Sequence, residues 1–366
     1  MRALVVTVVH HPEDSRIRYR QIDALLRAGW HVTYAAPFGG YGLLAGPMPD
    51  GLATVDVPRA SGRRRLRALR AARDLLRERG PRHDVVLLHD PELLAALPGL
   101  ALPPVVWDVH EDTAAAVTLK PWLPRPVRPL AGWTVEHVER LAERRVHLIL
   151  AEYAYQERFG RKHLVVPNVT RVPASVPPPD EPRVVYVGSL STARGATDMV
   201  EMARQVSAKT DGSVKVQLVG PASPDVEEVL RTADADGVLD WPGFLPSDEA
   251  MRRLEGALAG LSLLRDEPNY RVSMPTKVIE YMAHGVPVIT TPLPLARDLV
   301  DESGCGIVVP FREPGAAAEA VLDLWQDADR RRELGAAGHR TARERYDWGA
   351  HAQAFVDELT RVAGTS

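Results

Sequence analysis

The chain holds 366 residues, 45% hydrophobic and 25% charged, a composition that supports packed cores and excludes a disordered or fibrous chain; its length predicts two domains near ~180 residues each. A single cysteine, Cys305, excludes a disulfide framework and a thiolate metal cluster, and fits a reducing compartment. The net charge of −3 divides unevenly: residues 1–180 carry 25 Lys and Arg against 19 Asp and Glu, the remainder 20 against 29, so the two halves are expected to have different tasks.

In chain order, the first half alternates short β-branched runs with amphipathic stretches. Residues 3–9 read as a strand, 15–28 as a helix ending at Gly29, and 31–36 as a second strand, a βαβ opening. In that helix Ile22, Leu25, Leu26 and Gly29 fall on one face. Further strands are predicted at 84–88, 105–108, 147–150 and 163–166, mostly with helices between them, which implies a parallel sheet covered on both faces.

Between the second and third strands, Arg63, Arg67, Arg70 and Arg77 line one side of a predicted helix and Leu66, Leu69 and Leu76 another. This basic face, Arg63 to Arg79, reads either as solvated surface or as a docking face for an anionic bilayer or acceptor. It has no interleaved aromatics, so nucleic acid is not an expected partner.

The stretch VPASVPPPDEP, residues 172–182, is expected to be a linker, because repeated prolines remove backbone donors and fix φ. The alternation then restarts with strands at 184–187, 214–219, 260–264, 286–290 and 306–309 and helices near 196–207, 225–232 and 276–283, with a helical tail from Gly315. The expected domains are 1–171, a second doubly wound unit at 183–345, and a terminal helix at 346–366 that packs back on the first. Open α/β sheets bind ligands at the carboxyl ends of their strands, so function is expected in a cleft between the two units.

No apolar stretch reaches the ~18 residues of a membrane span, and the start of the chain has too short an apolar core for a signal peptide. A cytoplasmic protein is expected, with peripheral residence on the inner face of the membrane if the arginine face docks. The chain lacks G-x-G-x-x-G after its first strand, lacks a P-loop and lacks H-E-x-x-H. Its histidines show no ligand spacing beyond the adjacent His10 and His11, and Asp234 and Asp236 sit in a polar turn before a strand, so neither metal nor cofactor is expected.

The most informative stretch is NYRVSMPTKVIEYMAHGVPVITTP. Pro275 opens a short helix carrying Lys277 and Glu280, and Gly285-Val286-Pro287 leads to a buried strand. The N-terminus of such a helix favours a diphosphate through its free N–H groups and dipole. Glu280, one turn inside, reads as a carboxylate for two ribose hydroxyls or as an exposed helix acid.

This block resembles the donor site of the retaining family 4 glycosyltransferases of GT-B fold (glycosyl transferases group 1), whose usual form is a Glu, seven residues, a second Glu, then A-x-G-x-P-V. Four other stretches follow in matching order: Asp108-Val109-His110-Glu111, Val166-Pro167-Asn168-Val169, Tyr186 to Leu190 with Arg194-Gly195, and the tail around Tyr346 and Trp348. Val272 stands where the family has its first glutamate, which contacts the transferred sugar; Asp266 or Glu267 is the nearest replacement.

The resemblance implies a UDP-, GDP- or dTDP-linked sugar as donor. Glu280 would hold the ribose, with Arg194 and Lys277 neutralising the diphosphate and backbone N–H groups of Gly188 and of Met274 and Thr276, on either side of Pro275, assisting beside Ser189. His110 at a strand end would act on the sugar or acceptor, near Asp14, Arg16, His89, Asp90 and Glu111. Asp14 and Asp90 read equally as helix caps. The implied reaction is metal-independent transfer, with retention, to a hydroxyl of a saccharide, a lipid-linked saccharide or a small natural product. The same architecture also admits a nucleotide-sugar epimerase or sugar phosphorylase, and Val272 admits a non-catalytic nucleotide-sugar-binding subunit.

Overall fold

A computed structural model describes residues 1–43, 48–110 and 128–364. The chain divides into two compact units, Met1–Asn168 with Gly349–Ser366, and Val169–Trp348. Both are doubly wound α/β folds, and every strand pairing in them is parallel.

The first unit contains strands β1 (Arg2–Val6), β2 (His31–Ala36), β3 (Leu52–Asp56), β4 (Val85–Leu88), β5 (Val105–Val109), β6 (His147–Leu150) and β7 (Leu164–Val165), ordered β3-β2-β1-β4-β5-β6-β7. The second has β8 (Glu181–Val187), β9 (Lys215–Val219), β10 (Asp240–Gly243), β11 (Ala257–Ser262), β12 (Val288–Thr290) and β13 (Gly306–Val308), ordered β10-β9-β8-β11-β12-β13. In each sheet the winding reverses beside the first strand, between β1 and β4 and between β8 and β11. The loops leaving those strands therefore splay apart and open a crevice at their carboxyl ends.

Strands buried on both faces need apolar residues nearly throughout, which is why β1 and β4 read as apolar runs and β5 is broken only by Asp108. In the second unit Val184 and Tyr186 face the layer of helices Ala196–Thr210 and Pro314–Gln326, while Val185 faces the layer of Thr276–Ala283 and Pro294–Ser303. The strands to which the sequence pattern gives no range are β3 and β10, each at one edge of its sheet, with one residue buried in β3 and none in β10. The expected helix at 15–28 begins instead as a π-helical turn, Ile17–Ile22, before the regular segment Asp23–Arg27.

The proline run expected to separate the domains stays with the second unit. The helix Ala328–Arg345 holds it: His339 Nε2 lies 2.9 Å from the Pro173 carbonyl oxygen, Arg331 Nε donates to that of Pro179 (2.6 Å), and Arg332 Nη2 donates to Asp180 (2.7 Å). The arginine helix forms at Arg65–Arg79 and buries Ala68, Ala72, Leu75 and Leu76; Leu66 is exposed rather than part of an apolar face.

Two left-handed glycines separate backbone strain from steric exclusion. At Gly195 (φ +79°) a Cβ would lie 2.0 Å from the Leu263 carbonyl oxygen, whereas at Gly237 (φ +71°) it would meet nothing within 4 Å. Gly237→Ala should therefore cost roughly 1 kcal/mol of unfolding free energy from strain alone, and Gly195→Ala distinctly more. Equal losses in urea unfolding would show that the approach of Gly195 to β11's exit is relieved at no cost.

Candidate functional site

In the first unit the residues that leave β1, β4 and β5 meet over the crevice. The carboxylate of Asp90 accepts from Thr7 Oγ1 (3.0 Å), Val8 N (2.5 Å) and Val9 N (3.2 Å). It thus pins the loop leaving β1; the side chain does not cap the turn Pro91–Ala96 that follows it. Asp14 closes the same loop, its Oδ1 accepting from Arg16 N (2.9 Å) and Ile17 N (3.0 Å), the cap alternative foreseen for it.

Arg16 does not reach toward a ligand. It is 4% exposed, and its Nε and Nη2 donate to the two oxygens of Asp108 at 2.8 and 2.7 Å. Nη1 donates to the Val166 carbonyl oxygen (2.8 Å) at the end of β7. The expected acceptor contact at Arg16 is thus replaced by a positioning role, because a buried guanidinium must satisfy its donors internally. Asp108 also accepts from Gln21 Nε2 (2.6 Å). Burial opposes ionisation of Asp108, but Arg16 and His110 overcome it and hold the carboxyl well below the usual range.

Around this pair stand three imidazoles. His110 Nε2 lies 2.8 Å from Asp108 Oδ2 and 2.8 Å from His89 Nδ1. His10 lies with Nε2 3.4 Å from Asp90 Oδ1 and its ring 4.9 Å from that of His110. Burial pushes His110 down to about 4, outweighing the opposing pull of Asp108, and lowers His89 as well, so both rings are neutral at pH 7. Asp14 is lowered: burial opposes, while His10, His110 and the Ile17 N–H prevail.

His89, Asp108 and His110 present donor atoms of the kind a divalent cation takes, all within 4.8 Å of one another. Asp108 Oδ2, however, already faces Arg16, Gln21 and His110, and a guanidinium 2.7 Å from its partner oxygen repels a second cation. The cluster suits protons better than a metal. Asp234, one of the acidic pair, accepts from Trp241 N (3.0 Å) at the turn into β10.

In the second unit, β8 ends at Gly188 and Ser189. Tyr186 donates through its hydroxyl to the Ser189 carbonyl oxygen (2.7 Å), and Arg194 Nη1 approaches the same oxygen at 3.4 Å. Lys277, in the first turn of Thr276–Ala283, is buried with its ammonium 4.9 Å from the centre of the Tyr186 ring. Among the described residues no carboxylate stands within ion-pair distance of Lys277 or Arg194. Burial, aided by Arg194 and opposed by Glu280, pushes Lys277 down to about 8. Burial pushes Tyr186 up to about 12.

The structure thus brings together Gly188, Ser189, Arg194 and Lys277, with Met274, Pro275 and Thr276 at the start of the helix and Glu280 half-buried one turn along. One expectation is corrected: the N–H of Gly188 donates to the Val219 carbonyl oxygen (2.9 Å), continuing the ladder of β8 with β9, and is not available to a ligand. Val272 is 73% exposed at the end of the short helix Pro268–Arg271, and Asp266 accepts from Nε and Nη2 of Arg271 at 2.6 and 2.7 Å. Glu111 lies outside the described residues.

His10, Thr7 and Gln21 were not expected at the site. Asp108 and His110 carried a legible signal, since residues two apart on a strand point to the same side.

The fold and this cluster of groups define a two-unit α/β protein with switch-point sites. Residues 181–327 match the family model for glycosyl transferases group 1, the family that the motifs of the second unit resemble. The GDP-mannose-dependent alpha-(1-6)-phosphatidylinositol monomannoside mannosyltransferase of Mycobacterium tuberculosis is 28% identical over 185 residues, 49% of this chain and 48% of that protein. The chain therefore spans about half the length of the curated relatives it matches first. Sucrose-phosphate synthase from Thermosynechococcus elongatus superposes with a TM-score of 0.72 at 18% identity, covering 100% of this chain and 99% of the other. The Anabaena HepE structure in complex with UDP-glucose superposes at 0.69 and 14% identity, covering 99% and 100%. The fold of this chain is accordingly the GT-B architecture of two Rossmann-like units.

Removing Arg16 leaves Asp108 buried without its counter-charge, so Arg16→Ala should lower stability at pH 7 by about 3–5 kcal/mol. Asp108 is depressed in the folded state, so its contribution is present above the unfolded value of about 4 and is lost as pH falls toward the folded one. The deficit of the variant in urea unfolding should accordingly shrink between pH 7 and pH 3. A loss under about 1 kcal/mol at pH 7 would remove the pair from its structural role.

Proposed function

We propose that the chain moves a sugar from a nucleoside diphosphate sugar to a hydroxyl acceptor, with retention of anomeric configuration and without a metal ion. The observation that supports it best is the pairing of Arg194 with a buried Lys277 that has no counter-ion among the described residues. A buried ammonium beside a second cation is unfavourable by itself. It becomes favourable when an anion carrying more than one charge arrives, and a diphosphate at a helix N-terminus has that chemistry. The relatives favour the same donor class: one is a GDP-mannose-dependent mannosyltransferase, and one structural neighbour was captured with UDP-glucose.

In this reading Glu280 accepts the ribose hydroxyls, and Arg194 and Lys277 stabilise the charge that grows on the departing diphosphate. The bond from the anomeric carbon to the phosphate oxygen breaks through an oxocarbenium-like state. The acceptor oxygen forms its bond on the same face and passes its proton to the leaving phosphate. His110 supplies a hydrogen-bonding group for the acceptor, and His89, Asp90 and Asp14, each held by partners of its own, shape the crevice around it.

Lys277 holds a proton only below about pH 8 in the free protein. Affinity for UDP or GDP in EDTA should therefore be flat up to pH 8 and fall above it, by up to tenfold per pH unit until the bound lysine also titrates. Lys277→Met should bind weakly with no such dependence. Calorimetry between pH 6.5 and 9.5 reads both; a requirement for Mg²⁺ or Mn²⁺ would overturn metal independence.

The arginine helix is the proposed contact with an anionic membrane bearing a lipid-linked acceptor. Arg63, Arg64, Arg67 and Arg70 are exposed and without ion-pair partners among the described residues, whereas Arg65 pairs with Glu92 and Arg77 with Asp74. No helix among the described residues is long and apolar enough to cross a membrane. Flotation with phosphatidylglycerol vesicles should carry the protein at low salt and fail when these four arginines become Gln, each contributing about 1 kcal/mol. A wild type that stays at the bottom of the gradient would point to a soluble acceptor.

A further inference from the structure

The short contacts among His89, Asp108 and His110 constrain where protons lie. His110 Nε2 and Asp108 Oδ2 are 2.8 Å apart, and Asp108 is ionised against Arg16. Two lone pairs facing each other at that distance would repel, so a proton lies between them and belongs to Nε2 of the neutral ring. His89 Nδ1 lies 2.8 Å from His110 Nε2 and 3.5 Å from the same Asp108 oxygen, so it stands on the carboxylate's side of the His110 ring, away from Nδ1 of that ring. His89 Nε2 is a buried atom without a partner among the described residues.

From this geometry we infer that Asp108 is the positioning residue of His110: held by Arg16 and Gln21, it fixes the proton on Nε2 and leaves Nδ1 of that ring as a hydrogen-bond acceptor for a ligand hydroxyl. No side chain or carbonyl among the described residues takes His110 Nδ1. The arrangement depends on spacing across the sheet. Asp108 and His110 are two residues apart at the end of β5, so both point to one side. Arg16 comes from the loop after β1, Gln21 from the π-helical turn that follows it, and His89 from the residue after β4. A carboxylate that orients an imidazole selects its tautomer, and the tautomer decides whether the outward nitrogen gives or takes a hydrogen bond. Here it takes one, which suits a hydroxyl that must be oriented and does not suit a carbonyl or a second acceptor.

Wild-type protein with ¹⁵N-labelled histidine tests the assignment without substrate. In the long-range ¹H–¹⁵N spectrum, with His110 identified by its loss in His110→Gln, the ring should be neutral with its proton on Nε2 from pH 8 down to about 5, consistent with a value pushed down to about 4. A proton on Nδ1, or a charged ring at pH 7, overturns the inference. The kinetic part rests on the transferase reading. In Asp108→Asn the fixed tautomer should be lost and kcat should fall on the order of 10²-fold, with the Kd for UDP or GDP nearly unchanged. Asp108→Asn with the Nε2 tautomer and kcat of the wild type also overturns it. If Asp108→Asn does not fold, because Arg16 has lost its counter-charge, the wild-type spectrum alone decides. A wild type that shows the Nε2 tautomer but neither binds nor turns over any nucleotide sugar leaves the positioning of His110 standing and defeats the transferase reading.

Discussion

The first unit is organised around the buried ion pair of Arg16 and Asp108, whose partners are 92 residues apart in sequence. Its two parallel hydrogen bonds join the loop leaving β1 to the end of β5, and the remaining nitrogen of Arg16 reaches the end of β7. In so dry a setting neither charge can turn to water, so each is bound to the other and to neutral donors or acceptors nearby. The consequence is positional. His89, His110, Asp14 and Asp90 stand where they do because the loops that carry them are tied to this pair or to one another.

The second unit uses the opposite device. Its candidate site gathers Arg194 and Lys277 beside Gly188 without a carboxylate in ion-pair range among the described residues, although this half of the chain carries the negative excess. Net charge is therefore a poor guide to the field at a site. Burial, with Arg194 adding to it, depresses Lys277. At Gly220 a Cβ would lie 2.0 Å from the Gly188 carbonyl oxygen, so only glycine lets the exits of β8 and β9 come together there. One unit thus holds a satisfied network that positions hydrogen-bonding groups, and the other two cations with no carboxylate in ion-pair range among the described residues.

Much of this was legible in the chain. Buried parallel strands must be apolar on both faces, so β1, β4, β5, β8 and β11 announce themselves as runs, and regular alternation with helices leaves little choice of topology. The donor-side block was legible for a different reason: Met274 to Glu280 lie on one short helix and the turn before it, so their relative placement is set by local geometry. The edge strands β3 and β10 escaped, because a strand with one neighbour and partial exposure carries a weak pattern.

Sequence by itself determined the two doubly wound units, the group 1 resemblance and which residue types line the strand ends, since each follows from local periodicity or from motifs of short span. Only the tertiary structure decided which of those residues face outward. It turned Arg16 inward to Asp108, took the Gly188 N–H into the β9 ladder, gave Asp266 to Arg271 and set His10 beside His110. The reason is physical: a polar group's role depends on which partner satisfies it, and apart from the local pair of Asp266 and Arg271 these partners come from distant segments that meet only when the sheets form.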